Sequence, residues 1–298
     1  LLIIDEVQHA AGEKSKTFNK VIELTKFSWL LCLTATLEDN HKTFLHGYGV
    51  KLIEKFTAQQ GVDAGWLSPY KILCVPIELD GEDRDKYDKM HAEFNKHFAT
   101  FKFDFNVAMK CASVFNWNRN MRMRKEFLYH VESKINAAIV ITKELRMQTI
   151  LFGQSIAGAD KITESLGDEC VEYHSKMTKT QAKLNLKRLR DGRTKVKYIS
   201  SAKGLEEGFD LPNLQLGVTW SRTSKTLGAV QKLGRILRFH PGKIAYFIEL
   251  YVPDTQDEKW LKSSLRNQKN VLYLKSIDQL YSIIENDKAR IEDGTINV

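Results

Sequence analysis

The sequence predicts an α/β protein organised as two lobes around parallel sheets. Three observations carry this. Apolar runs of strand length recur along the chain, and several end abruptly in carboxylates or hydroxyls. Segments of helical period lie between them, so successive strands are separated by crossovers, as parallel pairing requires. Hydroxyl starts and glycine stops punctuate the alternation in the way that helix ends demand.

The first lobe opens on Leu1-Leu2-Ile3-Ile4, a buried-strand pattern that runs into Asp5-Glu6. A helix is expected over about 15–24, capped near Ser15, and WLLCLTAT (29–36) is a second strand ending in Thr-Ala-Thr. We assign 1–66 to the carboxyl-terminal part of this lobe. From 67 to 135 the texture changes. After the strand-like YKILCVPIEL come charged, helical segments, read as a helical connection or insert. Residues 136–253 return to alternation. AAIVIT ends a helix or forms a short strand, QTILFG is a strand, ADKITESLG a helix and CVEYHS a strand. TQAKLNLKRLRDG then reads as a basic helix, VKYISS and LQLGVTW as strands, LGAVQKLGRILR as a helix and KIAYFIELYV as a strand. The tail, 254–298, reads as helical.

Length and composition fit this plan. The chain has 298 residues, 43% hydrophobic and 28% charged, which suits two globular domains. The net charge of +8 is compatible with a polyanionic partner and equally with a plain basic protein. Cys32, Cys74, Cys111 and Cys170 stand far apart with no C-x-x-C pair. They read as buried thiols in a reducing compartment, neither a zinc site nor a disulfide framework. No apolar stretch reaches a membrane span, and Leu1-Leu2-Ile3-Ile4 runs straight into Asp5-Glu6 without the basic region or cleavage site of a signal peptide, so none is expected.

Four segments carry chemistry. Asp5-Glu6 places two carboxylates at a strand mouth, where one can hold Mg²⁺ and the other can orient and deprotonate an attacking water. Acidic residues also simply follow strands. Leu33-Thr34-Ala35-Thr36 puts two hydroxyls at the next strand end, which is also a turn or cap pattern. Ser200-Ser201 lead into a loop with Gly204, Gly208, Asp210 and Pro212, able to approach a phosphate closely. In Gln231-Lys232-Leu233-Gly234-Arg235-Ile236-Leu237-Arg238, a helix would align Gln231, Arg235 and Arg238 on one face. Arginine supplies planar, permanently charged phosphate recognition, although a solvated basic face has the same spacing.

In their order these segments resemble superfamily 2 helicases: DEVQH as a DEAH-like motif II, LTAT as motif III, SSAKGLEEGFDLP as motif V and QKLGRILR as motif VI. The connecting segment resembles the phage- and restriction-enzyme-related branch. The resemblance runs from Leu1 to about Pro253. It implies two RecA-like lobes, the first incomplete, joined by a helical connection, and ATP with Mg²⁺ as cofactors. It implies Asp5 as the metal holder, Glu6 as catalytic base, and His9, Thr34 and Thr36 as coupling residues. Gly208, Asp210 and Gln231 would then face the nucleotide, Arg235 would meet its γ-phosphate, and Arg238 would be the arginine finger. The implied partner is nucleic acid, DNA ahead of RNA, held in part by Ser200, Ser201, Arg188 and Arg190; no membrane is implied, and the location is cytoplasmic. Lys176–Lys197 carries nine basic residues against Asp191 alone, and Arg119, Arg122, Arg124 and Lys125 form a second cluster near Trp117.

Two residues depart from the pattern. Gln8 is an extra residue between Val7 and His9, and Lys232 stands where many members carry arginine. G-x-x-x-x-G-K-[ST] is not in the sequence; the resemblance places that phosphate loop before Leu1 and makes this chain a fragment, inactive alone. The competing readings are the translocating subunit of a restriction system and a nucleic-acid-binding module without ATPase activity.

Overall fold

Apolar runs that read as strands do form strands, and they fall into two separate parallel sheets. The computed structural model describes residues 1–7, 16–34, 37, 39–102, 104, 107, 114–202, 214–223, 234, 236–266 and 268–295. In the amino-terminal region β1 (Leu2–Ile4) pairs in parallel with β2 (Leu30–Cys32), across helix α1 (Lys16–Leu24). Two further helices follow, α2 (Asp39–Gly47) and α3 (Ala58–Asp63). A capping box starts α3: Thr57 Oγ1 accepts from the Gln60 amide, and the Gln60 side chain accepts from the Thr57 amide.

The larger sheet contains β3 (Tyr70–Pro76), β4 (Thr149–Gly153), β5 (Cys170–His174), β6 (Tyr198–Ala202), β7 (Leu216–Thr219), β8 (Ala245–Tyr251) and β9 (Val271–Tyr273). Their spatial order is β5-β6-β4-β7-β8-β3-β9, every pairing parallel. Helices α4 (Gly81–Ala99), α5 (Val114–Tyr129), α6 (Glu132–Leu145), α7 (Ile156–Leu166), α8 (Lys179–Arg190), α9 (Gln256–Ser264) and α10 (Ile277–Glu292) complete the described elements. This is the α/β, RecA-like parallel architecture expected from the sequence.

Two placements differ from the sequence reading. The strand inside the 67–135 connection, β3, lies between β8 and β9 in the large sheet, in register from Tyr70↔Ala245 to Pro76↔Tyr251. The tail also supplies a strand, β9, along Ile72–Cys74. The reason is burial. Ile72, Leu73, Cys74 and Val75 are all fully buried, so both faces of β3 need a covering layer, which only the centre of a wide sheet provides.

The core follows the two-residue period of the strands. On one face Leu73, Val75, Leu151, Val218 and Ile248 pack against α6, α7 and α10. On the other, Ile72, Ile150, Phe152, Ile199 and Phe247 meet Leu189, Ile236 and Leu261. Trp220 is accommodated because two neighbours lack side chains. A Cβ on Gly153 would stand 1.9 Å from its ring, and one on Gly158 2.3 Å. The most deeply buried ion pair among the described residues joins Lys134 and Asp257: Lys134 Nζ donates to Asp257 Oδ2 at 2.7 Å, with each side chain 1% exposed. Asp257 Oδ2 also accepts from the Val252 amide, so the pair ties the start of α6 to the start of α9. Burial pushes the Cys74 and Cys170 thiols up to about 12, which keeps them protonated, and Cys32 is partly buried. Cys111 lies outside the described residues.

Candidate nucleotide site and nucleic-acid interface

At the carboxyl edge of the small sheet the ladder continues past the strands. The Leu33 amide donates to Ile4 O at 2.9 Å, and the Val7 amide donates to Leu33 O at 3.0 Å. These bonds set Asp5-Glu6 beside Leu33-Thr34, so three residues singled out in separate segments stand together. Asp5 is exposed, and its Oδ1 accepts from the Glu6 amide at 2.9 Å. Glu6 has φ 49°, the left-handed region that a residue with a Cβ adopts at a cost of about 1 kcal/mol or more. That turn drives Val7 into the core at 1% exposure while Asp5 stays in water. Two hard oxygen donors at a strand end suit Mg²⁺ better than a softer ion, so the residues present fit the metal that the resemblance implies. His9 and Thr36 lie outside the described residues.

Arg238 sits in a different setting from the one its spacing suggests. Its neighbour Ile236 is helical, but Arg238 itself forms an antiparallel bridge with Leu67. The single-face alignment of Gln231, Arg235 and Arg238 on one helix therefore does not extend to Arg238. The reason is competition for its backbone. The Ser68 amide donates to Leu237 O at 2.9 Å, and Ser68 Oγ and Lys243 Nζ donate to Arg238 O at 3.2 and 2.7 Å. Ser68 Oγ also accepts from the His240 amide at 3.2 Å. Ser68 and Lys243 are both buried, and desolvation, reinforced by the Arg238 charge, lowers the Lys243 ammonium to about 8. The Arg238 side chain is half-buried. Sequence reasoning missed Ser68 and Lys243, because no local pattern ties either of them to Arg238. Gln231, Arg235, Gly208 and Asp210 lie outside the described residues.

The four residues expected at the nucleic acid do not share one surface. Ser200 and Ser201 are interior residues of β6, at 0% and 2% exposure, and they alternate between the two faces of the sheet. Arg188 and Arg190 are exposed in the last turn of α8, where cations complement the helix dipole. Gln148, immediately before β4, donates to Leu189 O, which puts that helix end at the amino edge of the sheet. The serines run toward the carboxyl edge. Lys179, at the opposite end of α8, and Lys176, in the turn that precedes it, share the carboxyl edge with the end of β5. In the second basic cluster Arg124 is buried, its guanidinium 3.9 Å over the Phe94 ring and 2.7 Å from His91 Nδ1.

At the end of β7, Arg222 is buried and pairs with Glu249 of β8 while donating to Leu250 O. Its Nε and Nη1, like Ser200 Oγ and Thr219 Oγ1, are buried polar atoms without a hydrogen-bond partner among the described residues. This polarity at the carboxyl side of a parallel sheet is where such folds take ligands.

Comparison with known proteins follows the same division. Residues 132–240 match the helicase conserved C-terminal domain. The matched stretch begins at Glu132, the first residue of α6, and ends at His240, two residues past the backbone-anchored Arg238. DNA 3'-5' translocase XPB2 of Sulfurisphaera tokodaii is 25% identical over 273 residues, covering 86% of this chain and 60% of that protein. The chain therefore spans about 60% of the length of this curated relative. Among solved structures, Saccharomyces cerevisiae Dbp5 bound to RNA and ADP BeF3 superposes with a TM-score of 0.59 at 14% identity, over 96% of this chain and 62% of that one. The Hef helicase domain of Pyrococcus furiosus gives a TM-score of 0.54 at 14% identity, over 88% and 73%. These matches support a superfamily 2 helicase, with the structures speaking for the RecA-like fold alone. Among the described residues no helix is long and apolar enough to cross a membrane.

Proposed function

We propose that this chain is part of an ATP-driven helicase or translocase acting on nucleic acid, DNA ahead of RNA. The observation that carries the reading is the convergence of Asp5, Glu6 and Thr34 at one strand edge, in a chain whose residues 132–240 match a helicase domain. Asp5 would hold Mg²⁺, and the nucleotide would supply the free energy of phosphoryl transfer. Glu6 would orient water and accept its proton. Arg238 would present a fixed positive charge to the phosphates, its backbone held by Ser68 and Lys243 so that the guanidinium keeps its direction. Thr34, adjacent to the carboxylates, would relay their state to the rest of the motor, with His9 and Thr36 as further coupling residues. Gly208, Asp210, Gln231 and Arg235 would complete the nucleotide face. The name of the archaeal relative supports translocation on DNA. The basic amino end of α8 supports phosphate-backbone contact at the carboxyl edge, ahead of Arg188 and Arg190.

The test is nucleic-acid-stimulated ATP hydrolysis by the full-length protein. Glu6→Gln and Arg238→Ala are each expected to lower it by roughly 10³-fold or more, with nucleic-acid affinity retained. Undiminished turnover in both variants would remove the site assignment.

A further inference from the structure

Outside the nucleotide site, three side chains with ligand chemistry converge on the edge of the large sheet. Glu172 and His174 are two apart on β5, so they share a face, and that face meets α7. The same face carries Cys170, whose Sγ lies 3.8 Å from Thr163 Oγ1 of α7. One turn earlier on α7 stands Asp160. His174 Nε2 lies 3.5 Å from Asp160 Oδ1 and 3.6 Å from Glu172 Oε2, and one ligand atom from each residue falls within a 4.8 Å cluster.

The imidazole is the telling group. Its side chain is 9% exposed, its Nε2 faces both carboxylates, and its other nitrogen, Nδ1, is buried with no hydrogen-bond partner among the described residues. Both carboxylates stand farther from Nε2 than a good hydrogen bond allows. A buried imidazole held between two acids at that range has the spacing of ligands around a shared cation. Donor atoms 2.0–2.2 Å from a tetrahedral ion lie roughly 3.3–3.6 Å from one another. One imidazole nitrogen and two carboxylate oxygens are a borderline set. They suit zinc better than magnesium or calcium, which take more oxygens. The Asp160 side chain is 52% exposed, which leaves the fourth position to water.

We propose that Asp160, Glu172 and His174 form a zinc-class divalent metal site that fastens β5 to α7. Among the described residues β5 is an edge strand of the large sheet, hydrogen-bonded to β6 alone, and a metal clamp would supply the constraint that a second neighbouring strand gives elsewhere.

The test uses tag-free protein stripped with a chelator, titrated with ZnCl2 and, separately, with MgCl2 and CoCl2. Zinc at about a hundredfold over its Kd is expected to raise Tm by roughly 5 °C or more, with magnesium ineffective. Cobalt is expected to give the visible absorption of a four-coordinate site at one equivalent. Asp160→Asn, at a half-exposed position, should fold with the Tm of the metal-free protein and lose both responses, as should His174→Ala. An unchanged zinc response in Asp160→Asn and His174→Ala would overturn the proposal. So would a metal-insensitive wild-type Tm, and if His174→Ala alone then lost stability at acid pH the trio would be an imidazolium ion pair.

Discussion

The two sheets are built from similar apolar sequence and end in different surroundings. In β4, β6, β7 and β8 every residue is buried, with helices over both faces. In β1 and β2 none is fully buried, Ile3 is 54% exposed, and among the described residues the associated core has only Val7 and Leu45 buried. The carboxylates of the proposed site therefore stand on the lightly covered sheet, and Arg238 on the heavily covered one.

That contrast can be broken by measurement. The largest expected effect is in native-state hydrogen exchange. Ladder amides of 30–33 should exchange more than ~100-fold faster than those of Ile150–Phe152 and Ile199–Ser201, because each ~1.4 kcal/mol of opening free energy is tenfold. Equal protection would show that the two sheets open as one unit. Next comes the buried charge of the large lobe. Lys134→Met should cost about 3–5 kcal/mol in chemical denaturation by leaving Asp257 buried without its cation, and Lys134→Met with Asp257→Asn should recover part of it.

A pair of glycines sharpens the contrast at smaller scale. Gly153→Ala forces a methyl into the Trp220 ring and should destabilise by about 1–3 kcal/mol. Gly47→Ala, at the end of α2 with nothing within 4 Å, should be neutral or gain up to about 1 kcal/mol. The smallest effect is in pH dependence. Lys243 has a folded pKa of about 8 against an ordinary 10.5, so in that interval the unfolded chain holds a proton that the folded one has released. Stability from this group therefore rises as pH rises from about 8 toward 10.5, and below that interval its desolvation opposes folding in full. The stability difference between wild type and Lys243→Met, followed across pH 8–10 by denaturation, should shift in favour of wild type. A constant difference would show that Lys243 titrates normally.

Much of the strand and helix content was legible because parallel strands covered on both faces read as continuous apolar runs, as in QTILFG and KIAYFIELYV. Caps were legible for the same local reason: Thr178 opens α8 in a capping box with Gln181, and Gly167, with φ 59°, closes α7. The pairing of Asp5-Glu6 with Leu33-Thr34 was also readable, since one crossover separates two short strands. The environment of Arg238 was not. Its partner Ser68 is 170 positions away, and spacing on an assumed helix carries no information about a backbone bond at that separation. The opposite placement of Arg188 and the serines was hidden for a similar reason, because charge along a helix says nothing about which edge of the sheet that helix end reaches.

The sequence by itself determined where most of the strands and helices form, which strand ends carry carboxylates and hydroxyls, and the family those segments resemble. Those features depend on local pattern, on burial period and on residues within one crossover. Tertiary structure alone decided that β3 belongs to the large sheet, that Ser68 and Lys243 hold Arg238, and that Asp160 faces Glu172 and His174. Each of these is a contact between segments distant in sequence or on different elements, set by how a fully covered sheet must stack its strands and place its helices.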